Sequence, residues 1–276
     1  MTAARPNQRR GGAVLGSPIA HSLSPRLHQA AYDALGLTDW SYRAVECDRA
    51  ALAGTLRGLE DEGLAGASLT MPLKRAVLPL LTRVERLAAD VGAVNTVCFG
   101  GVAGEWWGAN TDVPGFVAAL KRAGVARPRH AVVLGAGATA ASAVAALADM
   151  RVSSVAVLAR SPQRAVEVVE VATRFGVSVE VEPWETAPGR LDADLVISTV
   201  PAGGADWLVG QLPRRVGVLF DVVYAPWPTP FAADWAAVGG RVVGGLSLLV
   251  EQAAEQVRLM TGKVAPVEAM YAAVDI

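Results

Sequence analysis

The sequence predicts an α/β fold in two domains, and three observations carry that prediction. Apolar runs of strand length alternate with amphipathic segments of helix length, the pattern of βα units built around mostly parallel sheets. The 276 residues exceed one small core and fit two modest domains of about 100–150 residues each. A glycine loop, Gly135-Ala136-Gly137-Ala138-Thr139-Ala140, stands in mid-chain between the apolar run 131–134 and an Ala-rich helical stretch that reaches Met150.

Taken in order, residues 12–16 read as a first strand. Ser24 reads as a helix N-cap with Pro25 at the first helical position, and that helix reaches about Leu35 before Gly36 stops it. A strand at 40–46, a helix at 48–62 and a strand at 66–70 follow, and Pro72 opens another helix. Segments 94–99 and 105–108, separated by Gly100-Gly101, form a hairpin that closes the first domain. A helix at 111–123 leads into the second domain, whose core begins at His130. Strands near 131–134, 154–159, 177–181, 194–198 and 217–221, with helices between most of them, make a doubly wound series. The helical patterns at 246–260 and 266–273 are expected to return to the first domain. The expected division is therefore 1–110 with 246–276 against 111–245.

Composition narrows the function classes. A net charge of −1 with no basic or acidic run leaves no electrostatic footprint for nucleic acid or an anionic membrane. No apolar run approaches the ~18–20 residues of a membrane helix. Cys47 and Cys98 are far apart and outside any metal-ligand spacing, so neither a disulfide framework nor a metal site is expected, and the setting reads as a reduced cytoplasm. Residues 1–10 lack an apolar core and read as a polar tail rather than a signal peptide.

The glycine loop has the context of a dinucleotide fingerprint. Gly135 permits the tight turn, Gly137 lets the backbone approach a pyrophosphate, and Ala140 takes the close-packing third position, with Ala136, Ala138 and Thr139 completing the cradle. The helix start behind it turns its NH groups toward the anion. An acid about 20 residues on would bind the ribose hydroxyls of NAD. Instead the next strand ends in Ala159-Arg160-Ser161 with Arg164 following, so two arginines and a neutral hydroxyl are placed to grip the 2′-phosphate of NADP(H).

The first domain offers polar residues at the ends of apolar strands, where open α/β sheets bind ligands. Ser22 and Ser24 lie two apart on an expected extended segment, so both hydroxyls face one side, toward a polyhydroxylated or carboxylated small molecule. Thr70 ends a strand and Lys74 lies one helical turn on. Asn95 and Thr96 end another strand, and Asn110-Thr111-Asp112 stands at the domain junction. A nicotinamide takes hydride from a secondary alcohol while a base takes its proton, and the reverse needs an acid. Lys74 is the candidate, since an ammonium carries a proton at neutral pH. His21, His28 and His130 are in no stronger setting for that role.

Together these residues resemble the shikimate dehydrogenase family over nearly the whole chain. The matching motifs run in the family's order: Ser22-Leu-Ser24-Pro25, Ser68-Leu-Thr70-Met-Pro-Leu-Lys74, Ala93-Val-Asn95-Thr96, Asn110-Thr-Asp112, Gly135-Ala-Gly137 and Gly245-Leu-Ser-Leu-Leu-Val-Glu-Gln252. The resemblance implies NADPH-dependent reduction of 3-dehydroshikimate to shikimate in aromatic amino-acid biosynthesis. It implies Lys74 as acid/base, Asp112 as its partner and a substrate ligand, and Ser22, Ser24, Thr70, Asn95, Tyr224 and Gln252 as further substrate contacts. Val222 and Gly245 are implied on the nicotinamide side, and a monomer or homodimer is expected. The chain departs from the family pattern where Ala159-Arg160-Ser161 replaces Asn-Arg-Thr, where Ala138-Thr139 replaces Gly-Ala, and where Gly108-Ala109 precedes Asn110.

Two other readings differ in testable residues. An NAD-linked quinate/shikimate dehydrogenase would carry an acid after Leu158, which is absent. A non-catalytic metabolite sensor would lack the Lys74 and Asp112 pair, which is present.

Overall fold

A computed structural model describes residues 10–100, 102–125 and 127–274. The expected tail up to residue 9, and Gly101 of the expected hairpin turn, lie outside the described residues. The chain divides into two compact units, one formed by 1–89, 93–111 and 252–276 and the other by 90–92 and 112–251.

The first unit opens with β1 (Arg10–Gly16), α1 (Ser24–Ala34), β2 (Trp40–Glu46), α2 (Leu52–Asp61) and β3 (Gly66–Leu69). It continues with α3 (Leu73–Ala76), β4 (Arg83–Val84), α4 (Arg86–Val91, whose last residues fall to the other unit), β5 (Thr96–Phe99) and β6 (Trp106–Ala109). Its sheet runs β2-β1-β3-β5-β6-β4. The β1–β2 and β1–β3 pairs are parallel, whereas β5 is antiparallel to both β3 and β6, so the sheet is mixed. Leu15, Leu52, Leu56, Leu73, Val97 and Trp106 fill the core beneath it. The polar Gly100 turn closes through a bond from Gly100 N–H to the Glu105 carbonyl at 2.8 Å.

The second unit contains α5 (Asp112–Arg122), β7 (His130–Leu134), α6 (Ala138–Asp149), β8 (Ser154–Ala159), α7 (Pro162–Phe175), β9 (Val179–Pro183), β10 (Leu195–Ser198), β11 (Val218–Asp221), α8 (Pro230–Ala237) and β12 (Arg241–Val243). Its sheet, β12-β11-β10-β7-β8-β9, is wholly parallel, and counting within the unit gives the doubly wound order 3-2-1-4-5-6. Apart from the edge strand β9, where glutamates alternate with valines, the strands read as apolar runs because helices cover both faces. Ala140 through Leu147 of α6 are all buried, and their small side chains let α5 and α7 lie against it.

Helix α9 (Gly245–Thr261) begins in the second unit, and from Gln252 it belongs to the first, which α10 (Val267–Val274) completes. There α10 packs on α1, and Arg26 Nη2 donates to the Ala273 carbonyl at 2.6 Å.

Four local expectations need correction. Ser24 is not the cap of α1: Leu23 occupies that position in a right-handed helical conformation, and its apolar side chain makes no cap bond. The same conformation means that Ser22 and Ser24 flank a residue of helical backbone, not an extended one. Helix α2 starts at Leu52 rather than 48, since Asp48 Oδ1 takes the Ala51 amide at 2.9 Å and ties the intervening residues into a turn. Asn95 and Thr96 stand at the start of their strand, not its end, because β5 runs against β3. Strands β4 and β12, of two and three residues, were too short to leave an apolar run.

Candidate active site

In the first unit, parallel β1 and β3 bring their C-terminal ends to one edge of the sheet, and the antiparallel β5 brings its N-terminal end to the same edge. Two backbone bonds gather the candidate residues there: Leu69 N–H donates to the Asn95 carbonyl at 2.8 Å, and Val94 N–H donates to the Lys74 carbonyl at 2.8 Å. Thr70, Lys74 and Asn95 therefore come from three segments held as one surface. The Thr70 amide is bonded in turn to the Leu15 carbonyl at 2.9 Å, which fixes it beside the end of β1.

The loop after β1 adds the serines. Ser22 Oγ accepts the Ser24 amide at 3.3 Å, so Ser22 serves the helix start that Ser24 was expected to cap. Ser24 itself is buried in the first turn of α1, and Ser22 is half-buried.

Asn95 is the centre of a buried polar cluster. Its Oδ1 accepts the Thr111 amide at 2.8 Å and the Thr96 hydroxyl at 3.0 Å. Its Nδ2 donates to Thr111 Oγ1 at 2.9 Å and toward Gln252 Oε1 at 3.4 Å. Gln252 thus joins Asn95 and Thr111 from α9, far along the chain. Asn110 sits beside them, with Nδ2 donating to the Ala93 carbonyl at 3.0 Å.

The remaining candidates of the substrate set lie in the second unit. Asp112 is the first residue of α5, where a carboxylate suits the positive end of the helix dipole, and it is only 4% exposed. Tyr224 is half-buried on the loop after β11.

The second unit carries the glycine loop at the point where the strand order reverses, between β7 and β10. Gly135 has φ +110°, and a Cβ there would come within 2.6 Å of Thr199 Oγ1, so the turn admits only glycine without a shift. Thr199 is held in place by its own bonds, amide and hydroxyl both reaching the Leu134 carbonyl at 2.9 Å. Gly137 is the N-cap of α6 and has no side-chain cap, and a Cβ on it would meet nothing within 4 Å. Open space thus lies before a helix start whose first amides no side chain caps, a setting that fits a pyrophosphate. Ala136, Ala138 and Thr139 line the same turn, and Ala140 is fully buried behind it.

Beyond β8, Ala159 is buried, and Ser161 caps the start of α7 with extended backbone and no side-chain cap bond. Arg160 and Arg164 are exposed, and neither guanidinium has an ion-pair partner among the described residues. With no acid at this position, the surroundings fit a phosphorylated ribose. Val222 and Gly245 are brought into contact: a Cβ on Gly245 would lie 2.1 Å from the Val222 carbonyl oxygen.

His21 is exposed, and His130 is exposed with Nδ1 bonded to Ser154 Oγ at 2.7 Å. His28 is fully buried, stacked on Tyr42 with centroids 3.7 Å apart, and burial pushes it down to about 4, against a weaker opposing pull from the Ser24 carbonyl. Cys47 and Cys98 are buried and unpaired, and burial raises the Cys98 thiol to about 12. Among the described residues, no group of three His, Cys, Asp or Glu is arranged to hold a metal, and no helix is long and apolar enough to cross a membrane.

Comparison with known proteins decides the relationship. Models for the shikimate dehydrogenase substrate binding domain, the shikimate / quinate 5-dehydrogenase domain and the shikimate 5'-dehydrogenase C-terminal domain match residues 14–97, 118–205 and 245–274. The chain is 39% identical over 254 residues to the shikimate dehydrogenase (NADP(+)) of Thermus thermophilus, covering 91% of this chain and 92% of that one. The chain belongs to the shikimate dehydrogenase family. Its fold agrees: the Mycobacterium tuberculosis shikimate dehydrogenase structure superposes with TM-score 0.86 at 42% identity, covering 96% of this chain and 98% of that one. A Thermus thermophilus shikimate 5-dehydrogenase solved with NADP(H) and shikimate gives TM-score 0.81 at 37% identity, covering 95% and 97%.

Two groups in these family-type sites were not read from the sequence. Thr199 could have been found as a hydroxyl directly after an apolar strand at the switch point. Gln256 gave no signal, since a glutamine one turn from Gln252 reads as a solvated helix face.

Proposed function

We propose that the protein reduces 3-dehydroshikimate to shikimate with NADPH, reversibly, as a step toward aromatic amino acids. The observation that carries the reading is the sheet edge that holds Thr70, Lys74 and Asn95 together through the Leu69–Asn95 and Val94–Lys74 backbone bonds. Family membership over nearly the whole chain supports the same substrate and cofactor. In this reading the first unit binds substrate and the second binds cofactor.

Ser22, Ser24, Thr70, Asn95, Tyr224 and Gln252 hold the ring hydroxyls and carboxylate with hydroxyl and amide groups, which suit a polyhydroxylated acid. Gly135 through Thr139, with Val222 and Gly245, hold the dinucleotide, and Arg160, Ser161 and Arg164 hold its 2′-phosphate. When bound, the nicotinamide supplies the hydride that reaches the ring ketone carbon. Lys74 Nζ gives a proton to the ketone oxygen as it becomes a hydroxyl, and takes it back in the reverse direction. Asp112 orients the lysine and binds the same hydroxyl. Buried, unpaired Cys47 and Cys98 support a reducing cytoplasmic setting, and the protein is taken to act as a monomer or homodimer.

The test is cofactor reduction by purified protein, crossing shikimate and quinate with NADP+ and NAD+. A strong preference for shikimate with NADP+ is expected. Preference for quinate with NAD+ would move the assignment to a catabolic dehydrogenase, and ligand binding without turnover would move it to a sensor.

A further inference from the structure

We infer that Gln256 is a positioning residue that fixes the orientation of the Asn95 side-chain amide, so that its NH2 group faces Thr111 and Gln252 as a donor. The inference rests on the reading of Asn95 and Gln252 as substrate contacts. Gln256 lies on α9 one turn beyond Gln252 and is 1% exposed. It bridges two residues that stand directly opposite each other on β3 and β5, Ser68 and Thr96. Its Oε1 accepts the Ser68 hydroxyl at 2.7 Å, and its Nε2 donates to Thr96 Oγ1 at 3.3 Å, with the Asn95 carbonyl at 3.5 Å.

The direction of every bond in this row follows from its first member. Tyr42 Oη donates to Ser68 Oγ at 2.5 Å, and burial strengthens the phenol's hold on its proton. Ser68 has one proton and passes it to Gln256, which must turn its oxygen to Ser68 and its nitrogen to Thr96. Thr96 then gives its proton to Asn95 Oδ1, which also accepts the Thr111 amide. With both acceptor positions of that oxygen filled, the Asn95 nitrogen is turned toward Thr111 and Gln252. Amide ends are told apart by such networks, and here one phenol at the far end of a buried row decides the polarity of a site residue.

A donor at Asn95 holds the Gln252 oxygen, and with it the set of Gln252 as a substrate contact, whereas a flipped amide would turn oxygen against oxygen and displace it. Gln256→Met keeps side-chain length and removes both bonds. Gln256→Glu keeps the acceptor for Ser68 and loses the donor to Thr96 while ionised, and regains it when protonated.

The experiment is steady-state kinetics with shikimate and NADP+ from pH 5.5 to 9. Wild-type turnover decides the proposed function by itself. For the inference, KM for shikimate is expected to rise about 5- to 10-fold in both variants at pH 8, with kcat changing less and KM for NADP+ unchanged. The Gln256→Glu penalty should shrink relative to the wild type at each lower pH, while the Gln256→Met penalty stays. A loss of active protein with unchanged KM for shikimate, or a Glu variant that follows the Met variant at every pH, overturns the inference. The side-chain amide signals of Asn95 in 15N-labelled protein give a reading independent of turnover. They should shift in Gln256→Met and in Tyr42→Phe, and unchanged signals in both also overturn it.

Discussion

Asp221 Oδ2 accepts the Thr229 hydroxyl at 2.7 Å, closing a loop whose intervening residues include Val222 and Tyr224. The other oxygen accepts the Val223 amide at 3.2 Å, and Ser198 adds a further bond. Thr229 meanwhile caps α8 by accepting the Ala232 amide at 3.1 Å. Burial raises the Asp221 carboxyl above its ordinary range, with these bonds opposing the shift.

One hydroxyl therefore both caps a helix and satisfies a buried carboxyl. Thr229→Val should lower stability by roughly 1–3 kcal/mol through the lost cap and the unsatisfied Asp221. Chemical denaturation checks this, and a loss below about 0.5 kcal/mol, the ordinary scatter of neutral substitutions, would show that the loop does not depend on the bond.

Lys74→Ala should lower kcat by about 10²- to 10⁴-fold, the usual value of general acid–base catalysis, with a smaller change in shikimate affinity. Unchanged turnover would remove Lys74 from the mechanism.

Arg160→Ala or Arg164→Ala should weaken NADP+ by about 10- to 150-fold, the value of one charge-assisted hydrogen bond, while leaving any affinity for NAD+ nearly as it was. Equal losses with both cofactors would point to a general effect on α7 rather than a grip on the 2′-phosphate.

His28 makes stability depend on pH. Its proton is bound near 6.5 in the unfolded chain and only near 4 in the folded one. Between those values the unfolded state holds more protons, so stability is full above about 6.5 and falls as pH drops toward 4, by up to about 3 kcal/mol. Denaturation midpoints of the wild type and His28→Phe over this window provide the check, and the variant should show a flatter profile.

Much of the fold was legible in the chain, for identifiable reasons. The strands Trp40–Glu46 and Ser154–Ala159 match their expected bounds because both are rich in apolar residues and polar or turn-forming residues follow them. The glycine loop was legible because backbone geometry at Gly135 leaves no other residue type unstrained. What escaped was set by tertiary contact. No local signal tells that β5 runs against β3, and this direction alone brings Asn95 to the edge where β1 and β3 end. Leu23 adopts helical backbone where two flanking serines read as extended. Gln256 matters only because Ser68 and Thr96 are register partners, a fact of pairing rather than of spacing.

The first unit is assembled from both ends of the described chain, while nearly all of the second is one uninterrupted stretch, 112–251. During synthesis the second unit is whole before Gln252 and the residues after it leave the ribosome, whereas the first still lacks the later part of α9 and all of α10. The α1 face that receives α10, and the Ser68 and Thr96 hydroxyls that receive Gln256, stay open until those two helices have been made. The first unit thus completes its packing after the second, and ribosome-bound chains stalled before residue 252 would display a complete second unit and an incomplete first one.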